Sequence, residues 1–267
     1  MFFLMIDEVL QTKSTRCMAV ETYAPGFEPM TIFEFRISNA LSGKSHNPQD
    51  RPTANGLIAL TAEKPAPFVT IIGLYSNVLE DPGVISSEGR HRQLDDKQKE
   101  FLKSELKRLH DMHYAGAVIL AVHHPPYTSG VIHVSSPGML KDIDDAIQYA
   151  GNFAPHAVLS GHAHNYQRYT RVMGKREIPF IVAGSGGHNA VSPIKRNKGN
   201  TIIRTPMTKD DVSFRRYFAD FGYLRIEVSK ELLSIEFHDV SSGLDSKSPA
   251  DICTVDLQTR TLTTDTP

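Results

Sequence analysis

The sequence predicts an α/β fold, on three observations. Two short, continuously apolar runs, Ala117 to Val122 and His156 to Ser160, each end abruptly in a loop that carries histidines, as strands buried on both faces do. Between them, Met139 to Ala150 has helical periodicity. Strand, loop, helix, strand over this length makes a βαβ unit with parallel strands. The other elements follow in chain order. Residues 1 to 55 are weakly periodic and rich in turn formers, which implies an irregular segment with one short helix near Thr31 to Ala40. Gly56 to Thr61 and Phe68 to Tyr75 read as strands joined across Lys64-Pro65-Ala66-Pro67, a hairpin connection. Asp95 to Met112 spaces Leu102, Leu106 and Leu109 along one helical face, with Asp95 as the N-cap candidate. Tyr166 to Val172, Ile178 to Ala183, Phe221 to Val228 and Leu232 to Phe237 are further strands, and Ser192 to Val212 is polar, aperiodic and expected to be a long surface loop. No linker divides two cores, so residues 56 to 267 are expected to form one domain.

A chain of 267 residues with 40% hydrophobic residues can bury a substantial core. Its net charge of -1 sets up no field that would gather nucleic acid or an anionic membrane. The basic stretch Lys195 to Lys198 reads as a solvated loop. Cys17 and Cys253 form neither a disulfide framework nor a thiolate zinc pattern, so any transition metal must be held by His, Asp, Asn or Glu. The apolar opening Met1 to Met5 is cut by Asp7 and Glu8, too short to span a membrane and without a basic leader. The expectation is no membrane partner and a cytoplasmic location by default.

Five of the twelve histidines, His123, His124, His133, His162 and His164, fall in two loops that the βαβ unit brings to one sheet edge, where open α/β sheets place ligands. Neutral imidazole suits Zn, Fe, Mn or Ni. His46, His91, His110, His113 and His238 read instead as ordinary hydrogen-bonding surface residues. Of these, His110 and His113 close a helix, where cations favour the dipole.

Ala121-Val122-His123-His124-Pro125-Pro126-Tyr127 resembles the strand followed by His-x-Pro of calcineurin-like metallophosphoesterases. Ser160-Gly161-His162-Ala163-His164-Asn165-Tyr166-Gln167-Arg168 resembles their Gly-His-x-His motif, in the purple acid phosphatase-like version with a following aromatic and Arg. Ile181 to His188 resembles the Gly-Gly turn of that branch, which here reads as a tight turn near the site. The resemblance covers about residues 56 to 240. It implies two packed mixed β-sheets flanked by helices in a four-layer αββα sandwich, a phosphoester substrate, and hydrolysis assisted by two transition-metal ions (Fe, Zn or Mn). By position, His123 and His162 would bind the second metal and His164 the first. His124 occupies the variable place of His-x-Pro. His133 sits roughly where an outer histidine protonates the leaving alkoxide, an ordinary loop histidine being its other reading.

The family's Gly-Asp-x-x-Asp and Gly-Asn-His motifs do not occur in the chain, and its Asp-x-His, Asp111-Met112-His113, closes the helical segment Asp95 to Met112 instead of following a strand. Two dications about 3.5 to 4 Å apart repel by roughly 20 kcal/mol at an effective dielectric of 20, and three neutral imidazoles offset none of it. One ion or none is therefore expected, since three protein ligands and a water suffice for a single-metal site. The implied protein is a hydrolase lacking the carboxylate half of its site, a truncated chain with the N-terminal portion of the fold incomplete. The alternative is a non-catalytic metal-binding or interaction remnant. Exposed sheet edges would favour self-association.

Overall fold

The computed structural model describes residues 2–4, 33–37, 69–76, 82–87, 96–186, 191–196, 211–240 and 248–265. A seven-stranded mixed sheet has the order β2-β3-β4-β5-β7-β6-β8, built from β2 (Phe33–Ile37), β3 (Val69–Leu74), β4 (Ala117–Val122), β5 (Ala157–Ser160), β6 (Tyr166–Met173), β7 (Arg176–Ala183) and β8 (Val212–Phe218). A five-stranded sheet has the order β1-β9-β10-β11-β12, built from β1 (Phe2–Leu4), β9 (Gly222–Val228), β10 (Leu232–Asp239), β11 (Asp251–Asp256) and β12 (Leu262–Asp265). Two helices, α1 (Lys97–Asp111) and α2 (Pro137–Tyr149), complete the described elements.

The layers follow from which side of each strand is apolar. In β4 every residue is buried. Val118, Leu120 and Val122 join Leu102, Leu106 and Leu109 of α1 and Met139, Ile143 and Ile147 of α2 in one core. Ala117 and Ile119 face the other way, into a second core with Leu224, Ile235, Phe237 and Val255 of the five-stranded sheet. The helices thus cover one face of the seven-stranded sheet and the other sheet covers the opposite face. This is the α/β class with two packed sheets that the sequence implies. A further helical layer on the five-stranded sheet has no counterpart among the described residues.

β4, α2 and β5 form the expected βαβ unit, with β4 and β5 parallel. α2 begins two residues before Met139, at Pro137, because Ser136 accepts the Met139 N–H (3.4 Å) and proline is preorganised for the first turn. The N-cap of α1 is Asp96 rather than Asp95, which lies outside the described residues. The Asp96 carboxylate does not cap the helix. It accepts the Ser87 N–H and hydroxyl (3.0 and 2.9 Å), bonds that hold its pKa below the usual carboxylate range.

The short helix expected near Thr31 to Ala40 is corrected: Phe33–Ile37 is β2, parallel to β3 in register Phe33 with Val69. Phe-Glu-Phe-Arg-Ile alternates with period two, which is a strand signal. β1 pairs antiparallel with β9. The proposed strand Gly56 to Thr61, its hairpin connection and residues 197–210 of the Ser192 to Val212 loop lie outside the described residues. β8, β11 and β12 were not foreseen.

A cluster of histidines at the rim of the parallel strands

β3, β4, β5 and β7 run parallel, so their carboxyl ends share one edge. His123 and His124 leave β4 there, and His162 and His164 follow β5. The two loops are joined directly, the Gly161 N–H donating to the His123 carbonyl at 2.9 Å. Tight turns at Ala163 and Asn165, each donating to the carbonyl two residues back at 2.7 Å, put His162 at a φ of 62°. This left-handed conformation is costly for a residue with a Cβ and recurs at functional sites. Gly184, at the end of β7, lies against the same turn: a Cβ there would sit 2.2 Å from the Ala163 carbonyl oxygen. Gly187 and His188 are outside the described residues.

His123 Nε2 and His162 Nδ1 lie 3.0 Å apart, within hydrogen-bonding distance. The ring centroids of His124 and His162 are 4.1 Å apart, and those of His133 and His162 3.9 Å. His164 approaches His133 at 5.5 Å between centroids. His123 and His124 are deeply buried and His162 nearly so, whereas His133 and His164 are half-buried. Burial, reinforced by repulsion from His124, His133, His123 and His164, pushes the His162 pKa down to about 2. His162 therefore stays neutral at any physiological pH and keeps a lone pair for a Lewis acid.

One nitrogen from each of His123, His124 and His162 lies within 4.8 Å of the others, a donor set that can hold a metal ion. Neutral imidazole is a borderline ligand suited to first-row transition ions. The buried Nδ1 of His133 has no hydrogen-bond partner, and its ring centroid lies 3.9 Å from that of His162. The triad contains no carboxylate. The structure places His123 beside His162, two residues that the sequence reading assigned to one metal. That reading set His124 aside, yet the structure draws His124 into the triad, while His164 stands beside His133.

Residues without any motif position these side chains. The buried Ser76 hydroxyl receives the His124 backbone N–H (3.0 Å) and bonds its Nδ1 (2.9 Å), an outer contact of the kind that fixes a ligand's ring and tautomer. Gln98 of α1 in turn clamps both the N–H and the carbonyl of Tyr75 at 2.7 Å. Gln167 accepts the Ser129 N–H (2.7 Å) and donates to Thr128 Oγ1 (3.0 Å) and Asn165 Oδ1 (2.8 Å), tying the loop that carries His133 to β6. Asn165 also donates to the Ser192 carbonyl at 3.0 Å. Apart from the bond between Gln167 and Asn165, these partnerships join residues 23 to 48 apart in sequence, and no local pattern announces them.

Other histidines divide as follows. His110 is exposed and packs on Phe153. His238, expected at the surface, is buried and bonded to Glu236 at 2.9 Å. His46 and His91 lie outside the described residues.

No family model matches the chain, and no curated protein matches it. Among solved structures it is similar to that of PhoD, with a TM-score of 0.50 and 14% identity over 76% of this chain and 43% of that one. At this identity the likeness is one of fold. A second similar structure is described as GAP50, the anchor in the inner membrane complex of Plasmodium, with a TM-score of 0.42 and 17% identity over 68% of this chain and 48% of that one. The chain spans less than half the length of each. No helix among the described residues is long and apolar enough to cross a membrane.

Proposed function

We propose that the chain is a metal-dependent hydrolase of phosphoric esters, with His123, His124 and His162 holding a transition-metal ion and His164 at the edge of the site. One observation carries this reading: imidazoles from two separate strand-end loops converge at the rim of a parallel sheet, and the central one is held neutral by its surroundings. The metallophosphoesterase-like fold supports the choice of phosphoester over other metal-dependent reactions. When bound, the ion supplies a Lewis acid that polarises the phosphoryl oxygen and activates water.

The chain's own residues do the rest. His123, His124 and His162 would hold the ion, and the hydrogen between His123 Nε2 and His162 Nδ1 would pass to solvent as it binds. Ser76, bonded to Nδ1 of His124, fixes the orientation of that ring. His133 lies at the mouth beside His162 and His164, where its ring donates a proton to the departing alkoxide, a contribution of about 10²- to 10⁴-fold in rate.

The absence of a carboxylate from the triad favours one specific rival, a metal-binding domain without turnover. Metal content and hydrolysis of p-nitrophenyl phosphate, measured on the same preparation, separate them. Turnover that tracks the metal and falls on His133→Ala supports the hydrolase. One ion per chain without turnover supports the rival, and a preparation that takes up no transition metal overturns both.

A further inference from the structure

On either side of His133 its loop turns apolar side chains to solvent. Val131, Ile132 and Val134 are 50, 64 and 40% exposed. They are three of the eight large hydrophobic side chains exposed among the described residues, and their concentration in one four-residue stretch distinguishes them from hydrophobics scattered singly over a surface. The backbone beneath them is fixed. Ser135 Oγ accepts the Thr128 N–H (3.0 Å) and donates to the Thr128 carbonyl (3.1 Å), clasping the two ends of the loop. The Val131 N–H donates to the Pro193 carbonyl (3.3 Å) and the Lys195 N–H to the Ser129 carbonyl (2.7 Å), while Gly130 bridges Ile194. Three β-branched side chains, stiff about χ1, are thus presented to solvent by a braced backbone, two just before and one just after the histidine that reaches the cluster at 3.9 Å.

From Tyr127 to Pro137 the chain carries no Lys, Arg, Asp or Glu. The loop offers no charge for a second phosphate, a carboxylate or an ammonium, and little to grip the hydroxyls of a sugar. Resting on the phosphoesterase reading, in which His133 serves the leaving oxygen, we propose that Val131, Ile132 and Val134 form the leaving-group site and select phosphoesters of apolar alcohols, aryl or alkyl. Whatever group His133 protonates must lie against this loop. An apolar one removes the three side chains from water, whereas a polar one gains nothing there and loses hydration.

The test is calorimetric binding to the zinc-loaded chain of two non-hydrolysable probes, benzylphosphonate and methylphosphonate, which share the phosphoryl group and differ in the apolar part. Benzylphosphonate is expected to bind at least tenfold tighter, about 1.4 kcal/mol, and Ile132→Ser to cut that ratio several-fold. Ile132 is exposed, so the variant is expected to keep the parent melting temperature. Equal affinities, or a ratio untouched by Ile132→Ser, overturn the leaving-group site while methylphosphonate binding leaves the phosphoesterase reading standing. Failure of both probes to bind overturns the two together.

Discussion

Two buried polar clusters sit in this fold, and they are built on opposite principles. Between the sheets, Arg168 of β6, fully buried, forks onto Asp251 of β11 with Nε to Oδ2 at 2.7 Å and Nη2 to Oδ1 at 2.9 Å. Its Nη1 pairs with Asp265 of β12, and the Tyr166 hydroxyl donates to Asp251 at 2.6 Å. Opposite charges meet and the planar fork finds a planar acceptor. At the sheet rim, five imidazoles crowd together instead, and burial with the repulsion of the other four lowers the pKa of His162. A cluster of like groups costs stability when nothing binds it, so its presence points to a ligand. The motif containing both sets, Gly161 to Arg168, therefore changes role within a few residues: its histidines face the rim, while Tyr166 and Arg168 stitch the two sheets.

Breaking the inter-sheet cluster has the largest expected effect. Asp251→Ala strands the Arg168 guanidinium in the core and costs about 3 to 5 kcal/mol, read as a lowered urea midpoint. Replacing Arg168 and Asp251 together by Met and Leu restores much of that loss, and a double variant no better than the single one contradicts this account. Next, His162→Ala removes a metal ligand. Transition-metal content should fall by well over half, without the stability loss seen at Asp251, whereas unchanged metal content contradicts the site.

Acidification probes the rim with a defined sign. His162, lowered from 6.5 to about 2, and His156, lowered from 6.5 to about 3 chiefly by burial, both resist protonation when folded. The unfolded chain then binds more protons below pH 6.5, so this stability is intact above 6.5 and drains away as pH falls toward 3 and below. Stability of the metal-free chain that is flat from pH 7 to 4 is the contrary result. The smallest effect is expected from Ser76→Ala, about 1 kcal/mol in stability with roughly tenfold weaker metal binding, measured by competition with a chelator.

How far the sequence reveals this molecule depends on where each element's partners lie. β4 and β5 were legible because strands buried on both faces read as unbroken apolar runs. β11, Asp251–Asp256, opens and closes on aspartate, and its first residue exists for Arg168, over 80 positions away. β8 carries Arg215 and Arg216 and is only half-buried, so its period is blurred. Within the site, strand ends followed by histidine marked His123 and His162. His124 was hidden by its neighbour, and Ser76 and Gln98 had no local signal because their roles arise only once α1 and β3 dock beside β4.

The contact between Gly184 and Ala163 has its own consequence. With a carbonyl oxygen where a methyl group would need to go, even alanine at 184 must shove the hairpin bearing positions 162 and 164 outward. A residue outside the cluster thus acts as a gauge block for the spacing of the imidazoles within it, and genetic screens for lost function should strike this glycine about as hard as the imidazoles themselves.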